Sequence, residues 1–168
     1  WRKDIPDTAK CYYRLYKFGD MHRLIAAYEE MLREYGSMKE YVRSHASTGI
    51  EAVSAICRYF AEHDASTVVP RNTQSACKRV CMFLRWMVRS GSPVDLGLWA
   101  DIIDRRTLIM PLDTHVVQEA LRLRLLKSRT ASMATARRLT DAMLEVFPDD
   151  PLRGDFALFG LGVDEDSK

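Results

Sequence analysis

The stretch Ala76-Cys77-Lys78-Arg79-Val80-Cys81-Met82-Phe83-Leu84-Arg85-Trp86-Met87-Val88-Arg89 decides the fold class. Pro70 and a polar run, Arg71-Asn72-Thr73-Gln74-Ser75, lead into it as a turn, and Ser90-Gly91-Ser92-Pro93 stops it. At about 100° per residue, Val80, Phe83, Leu84, Met87 and Val88 fall on one side. Lys78, Arg85 and Arg89 fall within roughly 40° of one another on the other side, with Met82 in the same stripe. A helical apolar face opposite a basic stripe predicts an amphipathic helix packed on a core.

The same periodicity extends in both directions. Asp20 is expected to cap a helix running to Tyr35, with Met21, Leu24, Ile25, Tyr28, Met31, Leu32 and Tyr35 on one face and Gly36 ending it. Ser37 and Glu40 form a capping box for a short helix to about His45. Gly49 starts the next helix, with Ile50, Val53, Ile56, Cys57 and Phe60 inward. Downstream, Asp95 opens a short helix through Trp99 and Ile103, Asp113 caps a helix to about Leu126, and a further helix covers roughly Ser132 to Val146. Asp150-Pro151 opens a last helix ending at Gly160 or Gly162. No stretch alternates with β-branched residues, so no sheet is expected. The prediction is an all-α, compact bundle of about eight helices with short connections.

The chain's 168 residues suit one domain, and 47% hydrophobic with 29% charged residues allow a core. The domain is expected over residues 11–163, with 1–10 disordered or a linker remnant and 164–168 an acidic tail. No apolar run reaches the length of a membrane span, and Trp1-Arg2-Lys3-Asp4 lacks the apolar core of a signal peptide. Cys11, Cys57, Cys77 and Cys81 show no zinc-ligand spacing, and read as mostly buried, reduced thiols of a cytoplasmic protein. No metal and no cofactor are expected. Trp1 is not a natural start, so the chain is expected to be part of a longer protein.

The net charge of +2 conceals a segregation. Residues 1–70 balance ten basic against ten acidic groups; residues 71–138 hold thirteen basic and five acidic, a net +8; residues 139–168 hold two and eight, a net −6. A basic middle of this strength suits a polyanion, DNA or RNA, and equally fits a set of solvated helix faces.

Three groups of residues could carry chemistry. Lys78 near a helix N-terminus places a cation against the positive end of the helix dipole, with Arg79 beside it. In its neutral form a lysine amine is a nucleophile able to form a Schiff base; the plainer reading is a solvated lysine. Leu112 and Val117 bracket Asp113 as a hydrophobic staple, so Asp113 reads as an N-cap that could also stabilise charge or act as a base facing a cleft. His115 follows in the first helical turn, as a packing residue or one half of an Asp-x-His pair without further ligands. In the last segment Asp149 and Asp150 read as caps, and Phe156, Leu158 and Phe159 as core. Asp155 sits between apolar neighbours, either exposed or paired with a buried arginine such as Arg85.

Four blocks together, Ser75-Ala76-Cys77-Lys78-Arg79, Phe83 to Arg89, Pro111-Leu112-Asp113-Thr114-His115, and Asp149-Asp150-Pro151 with Asp155 to Gly162, resemble the bacterial family catalogued as domain of unknown function 2400, over about Tyr12 to Val163. Members of that family run longer at the N-terminus. The Pro-Leu-Asp-Thr-His-Val segment is also distantly similar to helix-hairpin-helix DNA glycosylases of the endonuclease III type. That resemblance implies their helical fold, a catalytic aspartate capping a helix, and an upstream lysine that attacks the sugar. Lys78 and Asp113 match these positions, 35 residues apart, a gap nearer that of the archaeal 8-oxoguanine glycosylases. The turn Pro70-Arg71-Asn72-Thr73-Gln74 lacks the family's hairpin glycines, and the iron–sulfur cysteines are absent.

The function expected is therefore a DNA-binding enzyme of base-excision type, a glycosylase or abasic-site lyase acting on an N-glycosidic bond through Lys78 and Asp113. Arg79, Arg85, Arg89, Arg105 and Arg106 are the expected phosphate contacts. His115, Asp155 and Trp86 are supporting residues, Trp86 or Tyr12 stacking on a base unless they belong to the core. The alternative is a non-catalytic nucleic-acid-binding domain that retains the fold.

Overall fold

The computed structural model describes residues 1–166, without the side chains of Phe159 and of residues 161–166. Ser167 and Lys168, the end of the expected acidic tail, lie outside the described residues. Seven α-helices appear among them: α1 Phe18–Tyr35, α2 Met38–His45, α3 Gly49–Glu62, α4 Lys78–Val88, α5 Thr114–Arg122, α6 Met133–Val146 and α7 Arg153–Asp166. Helix α7 thus runs past the glycines expected to end it. Helix α3 packs against α2 and α4, α1 against α2, and α5 against α7.

Several helix ends follow from local chemistry. Ser37 accepts the backbone N–H of Glu40 at 3.1 Å, and Thr48 with Glu51 closes a capping box on α3. Asp113 and Ser132 cap α5 and α6 through the N–H groups of Val116 and Thr135. At α1 the helix begins two residues before Asp20. Asp20 is instead a buried carboxylate that accepts the Lys17 N–H at 2.8 Å and pairs with Arg23 at 2.9 Å. The Lys17 hydrogen bond holds its pKa below the usual carboxylate value.

Two expectations fail. The helix expected from Asp95 to Ile103 is irregular chain. Two of its N–H groups go elsewhere: Leu96 donates to the Trp86 carbonyl and Trp99 to the Met87 carbonyl, each at 2.7 Å. Those carbonyls are orphans at the end of α4, so the segment caps α4, and its own bonds, Ala100 to Gly97 and Ile102 and Ile103 to Trp99, close only isolated turns. A two-stranded antiparallel ribbon also appears, β1 Cys11–Tyr13 and β2 Tyr16–Lys17, turning at Arg14 with a φ of +53°. Strands of three and two residues are too short to leave an alternation in the sequence.

The core joins Met31, Val42, Val53, Leu84, Ile103, Leu108, Met110, Val116, Leu139 and Leu152. The inward positions expected on α3 are correct except that Ile50 is only partly buried. On α1 only Ala27 and Met31 are buried apolar residues, and Tyr28 and Leu32 lie exposed. Residues 1–10 form neither helix nor strand but are fastened along α1. The Ile5 carbonyl lies 2.7 Å from His22 Nδ1, and Arg2 pairs with Glu29 at 2.7 Å.

The four cysteines are free thiols; Cys57, Cys77 and Cys81 are buried and Cys11 exposed. No described helix is long and apolar enough to cross a membrane. No described group of three or more His, Cys, Asp or Glu could hold a metal ion.

Candidate active site

Helix α4 begins where the exposed loop after Pro70 turns inward at Cys77, whose φ of +47° is left-handed. The Cys77 sulfur lies 3.9 Å from that of Cys57 on α3. The Cys57 thiol donating to it, with help from the Ser75 hydroxyl, lowers the Cys77 pKa against the effect of burial. Lys78 follows as the first helical residue. An isolated antiparallel bridge between Ser75 and Ser132 ties this approach to the start of α6.

Asp113 arrives from the other side. Its Oδ1 accepts the Val116 N–H at 2.8 Å, and its Oδ2 lies 3.3 Å from Lys78 Nζ. One oxygen therefore orients the carboxylate on α5 while the other faces the lysine. The pair stands between two concavities. One, of about 430 Å³, is lined by Leu112, Val117, Leu121, Gln118 and Arg129 as well as the pair. The other, of about 370 Å³, adds Met82, Arg85, Trp86, Asp155 and Phe156.

The second concavity has an ionic floor. Arg85 pairs with Asp155 and lies 3.5 Å from Asp95, and its guanidinium sits 4.0 Å from the centroid of the Phe156 ring. Arg89 pairs with Asp95 at 2.6 Å and Asp150 at 3.0 Å. All five charged side chains are buried, two cations among three carboxylates. Burial pushes the Asp155 pKa up to about 6, opposed by Arg85 and assisted by the negative charge of Asp113.

This arrangement relocates several expected residues. Arg85 and Arg89 face carboxylates inside the protein instead of phosphates at its surface, with side chains 3% and 9% exposed. Buried charges require partners, and three elements converge to supply them. Asp155 takes the buried-arginine reading. Trp86 and Phe156 leave the core, 42% and 52% exposed, and wall the concavity. Tyr12 is exposed too, on the β ribbon, edge-on to Phe18. Arg79 is exposed and held by the Tyr16 hydroxyl and ring. His115 is half-buried in the first turn of α5 and lines neither concavity.

Arg105 and Arg106 belong to a 3-10 turn, where Arg105 donates to the Asp149 carbonyl at 3.0 Å and Arg106 pairs with Asp104. Asp149 adjoins Asp150, the partner of Arg89 at the far end of α4. With eleven residues in α4, at 1.5 Å each that end is roughly 16 Å from Lys78.

The model of the DUF2400 family, proteins of unknown function, matches residues 2–164. The chain belongs to this family. Comparison with curated proteins and with solved structures gives no match. In this DUF2400 chain the sequence reading missed Phe156, Gln118 and Arg129. For Arg129 a signal existed, in the charge run that surrounds it; for Gln118, an exposed polar position on an amphipathic helix, there was none.

Proposed function

We propose that the chain is a DNA-binding enzyme of base-excision type that breaks an N-glycosidic bond with Lys78 and Asp113. The observation that carries this reading is the 3.3 Å approach of Lys78 Nζ to Asp113 Oδ2 at the mouth of an aromatic-walled concavity. In the proposed reaction a nucleotide swings out of the duplex and its base lodges beside Trp86 and Phe156. Asp113 takes a proton from the Lys78 ammonium, and the amine attacks C1′ of the sugar. The C1′–N bond breaks, its electron pair leaving with the base, which takes the proton that Asp113 accepted from Lys78 and so restores the Asp113 carboxylate. A proton then passes from Nζ to O4′ as the ring opens, leaving a Schiff base between Lys78 and C1′.

The glycine-free turn Pro70–Gln74 favours a second reading, a nucleic-acid-binding domain that keeps the fold without the reaction. Borohydride trapping separates the two. Duplexes carrying an abasic site, uracil or 8-oxoguanine are expected to give a covalent band with the wild-type chain and none with Lys78→Gln. Salt-sensitive binding with no band from the wild type would discard the chemistry and leave the binding domain.

A further inference from the structure

From Arg122 to Arg138 the chain carries six basic residues and no acidic one. Arg122 is engaged by Glu119, its Nε donating at 2.8 Å. Arg124, Lys127 and Arg129, in the connection between α5 and α6, are exposed.

The backbone of this connection is specific. The Arg124 N–H donates to the Leu121 carbonyl at 3.0 Å and the Leu125 N–H to the Ala120 carbonyl at 2.8 Å, the paired closure of a Schellman motif. Arg124 occupies the left-handed position of that motif, with a φ of +61°. Glycine or asparagine is the usual occupant, since a branched Cα there costs on the order of 1 kcal/mol. An arginine thus stands where backbone preference disfavours it. The dipole at the end of α5 favours a cation at positions 122 and 124, but Lys127 and Arg129 lie beyond its reach.

The far end of the connection meets the candidate site. The bridge from Ser132 to Ser75 joins it to the loop that delivers Lys78, and Arg129 lines the same concavity as Lys78 and Asp113. The run is therefore a basic rim on one side of the lysine–aspartate pair. The five residue steps from Arg124 to Arg129 can span at most roughly 17 Å, and less across this bent connection, against one phosphate per 3.4 Å of rise along a DNA strand.

We infer that the α5–α6 connection is a phosphate-binding rim for DNA, in which Arg124, Lys127 and Arg129 hold the backbone beside the nucleotide that enters the cleft. The inference rests on the base-excision reading for its partner. It assigns phosphate binding to a different surface from the arginines at 85 and 89, which are internal. It also gives the cleft a direction, because the strand is gripped on the α5–α6 side of Lys78.

The test is fluorescence anisotropy with a labelled duplex containing a tetrahydrofuran abasic analogue, titrated at several KCl concentrations. Three proteins are compared: wild type, the triple variant Arg124→Gln/Lys127→Gln/Arg129→Gln, and a control of equal charge change, Arg2→Gln/Arg33→Gln/Arg43→Gln. The control positions pair with Glu29, Glu30, Glu40 and Asp101 on a different part of the surface. Expected is a salt slope, log affinity against log salt, shallower by about 2 to 3 in the rim variant. Affinity at low salt should fall at least tenfold, the control should follow wild type, and helical circular dichroism should be unchanged in all three. An unchanged slope in the rim variant, or an equal drop in the control, overturns the rim while leaving the base-excision reading in place. No binding of the duplex by the wild type overturns both. Tighter binding of a single-stranded RNA in the same titration overturns the choice of DNA.

Discussion

Asp113 does two jobs with one carboxylate, and substitution can separate them. Asparagine keeps an oxygen for the Val116 N–H and loses only the charge facing Lys78. Asp113→Asn is therefore expected to unfold within about 1 kcal/mol of wild type, since a half-exposed ion pair contributes no more than that. Asp113→Ala should lose about 1 kcal/mol more with the cap. Both should fail to trap an abasic duplex with borohydride; a wild-type band from Asp113→Asn would make Asp113 a cap and nothing else. Asp155 offers a pH test. Its folded pKa of about 6 lies above the ordinary 3.8, so the folded state holds the proton more tightly than the unfolded chain. Stability contributed by that proton is present below 3.8 and lost as pH rises through about 6. The melting temperature of wild type should fall across that window relative to Asp155→Asn, which stays neutral. Parallel curves for the two proteins would place the titration elsewhere.

At the scale of elements, contact can leave no room for a side chain. Gly49 begins α3 with its backbone against the 3-10 turn: a Cβ there would lie 2.3 Å from the Thr107 carbonyl oxygen. Its N–H also donates to the Thr107 hydroxyl oxygen at 2.8 Å, which ties the same two elements together. Gly49→Ala should lower stability by about 1–3 kcal/mol, read from the urea midpoint, because backbone and not a flexible tip must move. An unchanged midpoint would mean that α3 and the turn separate at no cost. The helices with strong end signals, α2, α3 and α6, were legible because caps and periodicity agree. The segment from Asp95 departs from its expected helix although Trp99 and Ile103 are indeed buried, because inward spacing does not reveal that the Leu96 and Trp99 N–H groups serve α4. The β ribbon escaped notice because its turn, Arg14-Leu15, lacks the usual glycine or asparagine.

Across the whole molecule, the charge segregation along the sequence is partly folded inward. Asp150 and Asp155 of the acidic C-terminal part neutralise Arg85 and Arg89 of the basic middle, leaving the rim of the α5–α6 connection exposed. The lysine and aspartate of the candidate site were legible because each sits at a helix start marked by polar turn residues or a staple. The floor beneath them was not, because angular spacing puts Arg85 and Arg89 in line with Lys78 but cannot show which carboxylates come to meet them. One feature of the site doubles as a clock. Cys77 sits immediately before Lys78, closed in against Cys57, whereas Cys11 is open to solvent. Iodoacetamide should alkylate one thiol of four quickly, and the Cys77 rate should count how often the entry to α4 breathes open. An abasic duplex seated on Lys78 should slow that rate and leave Cys11 untouched, making occupancy of the cleft visible by mass without any label on the DNA.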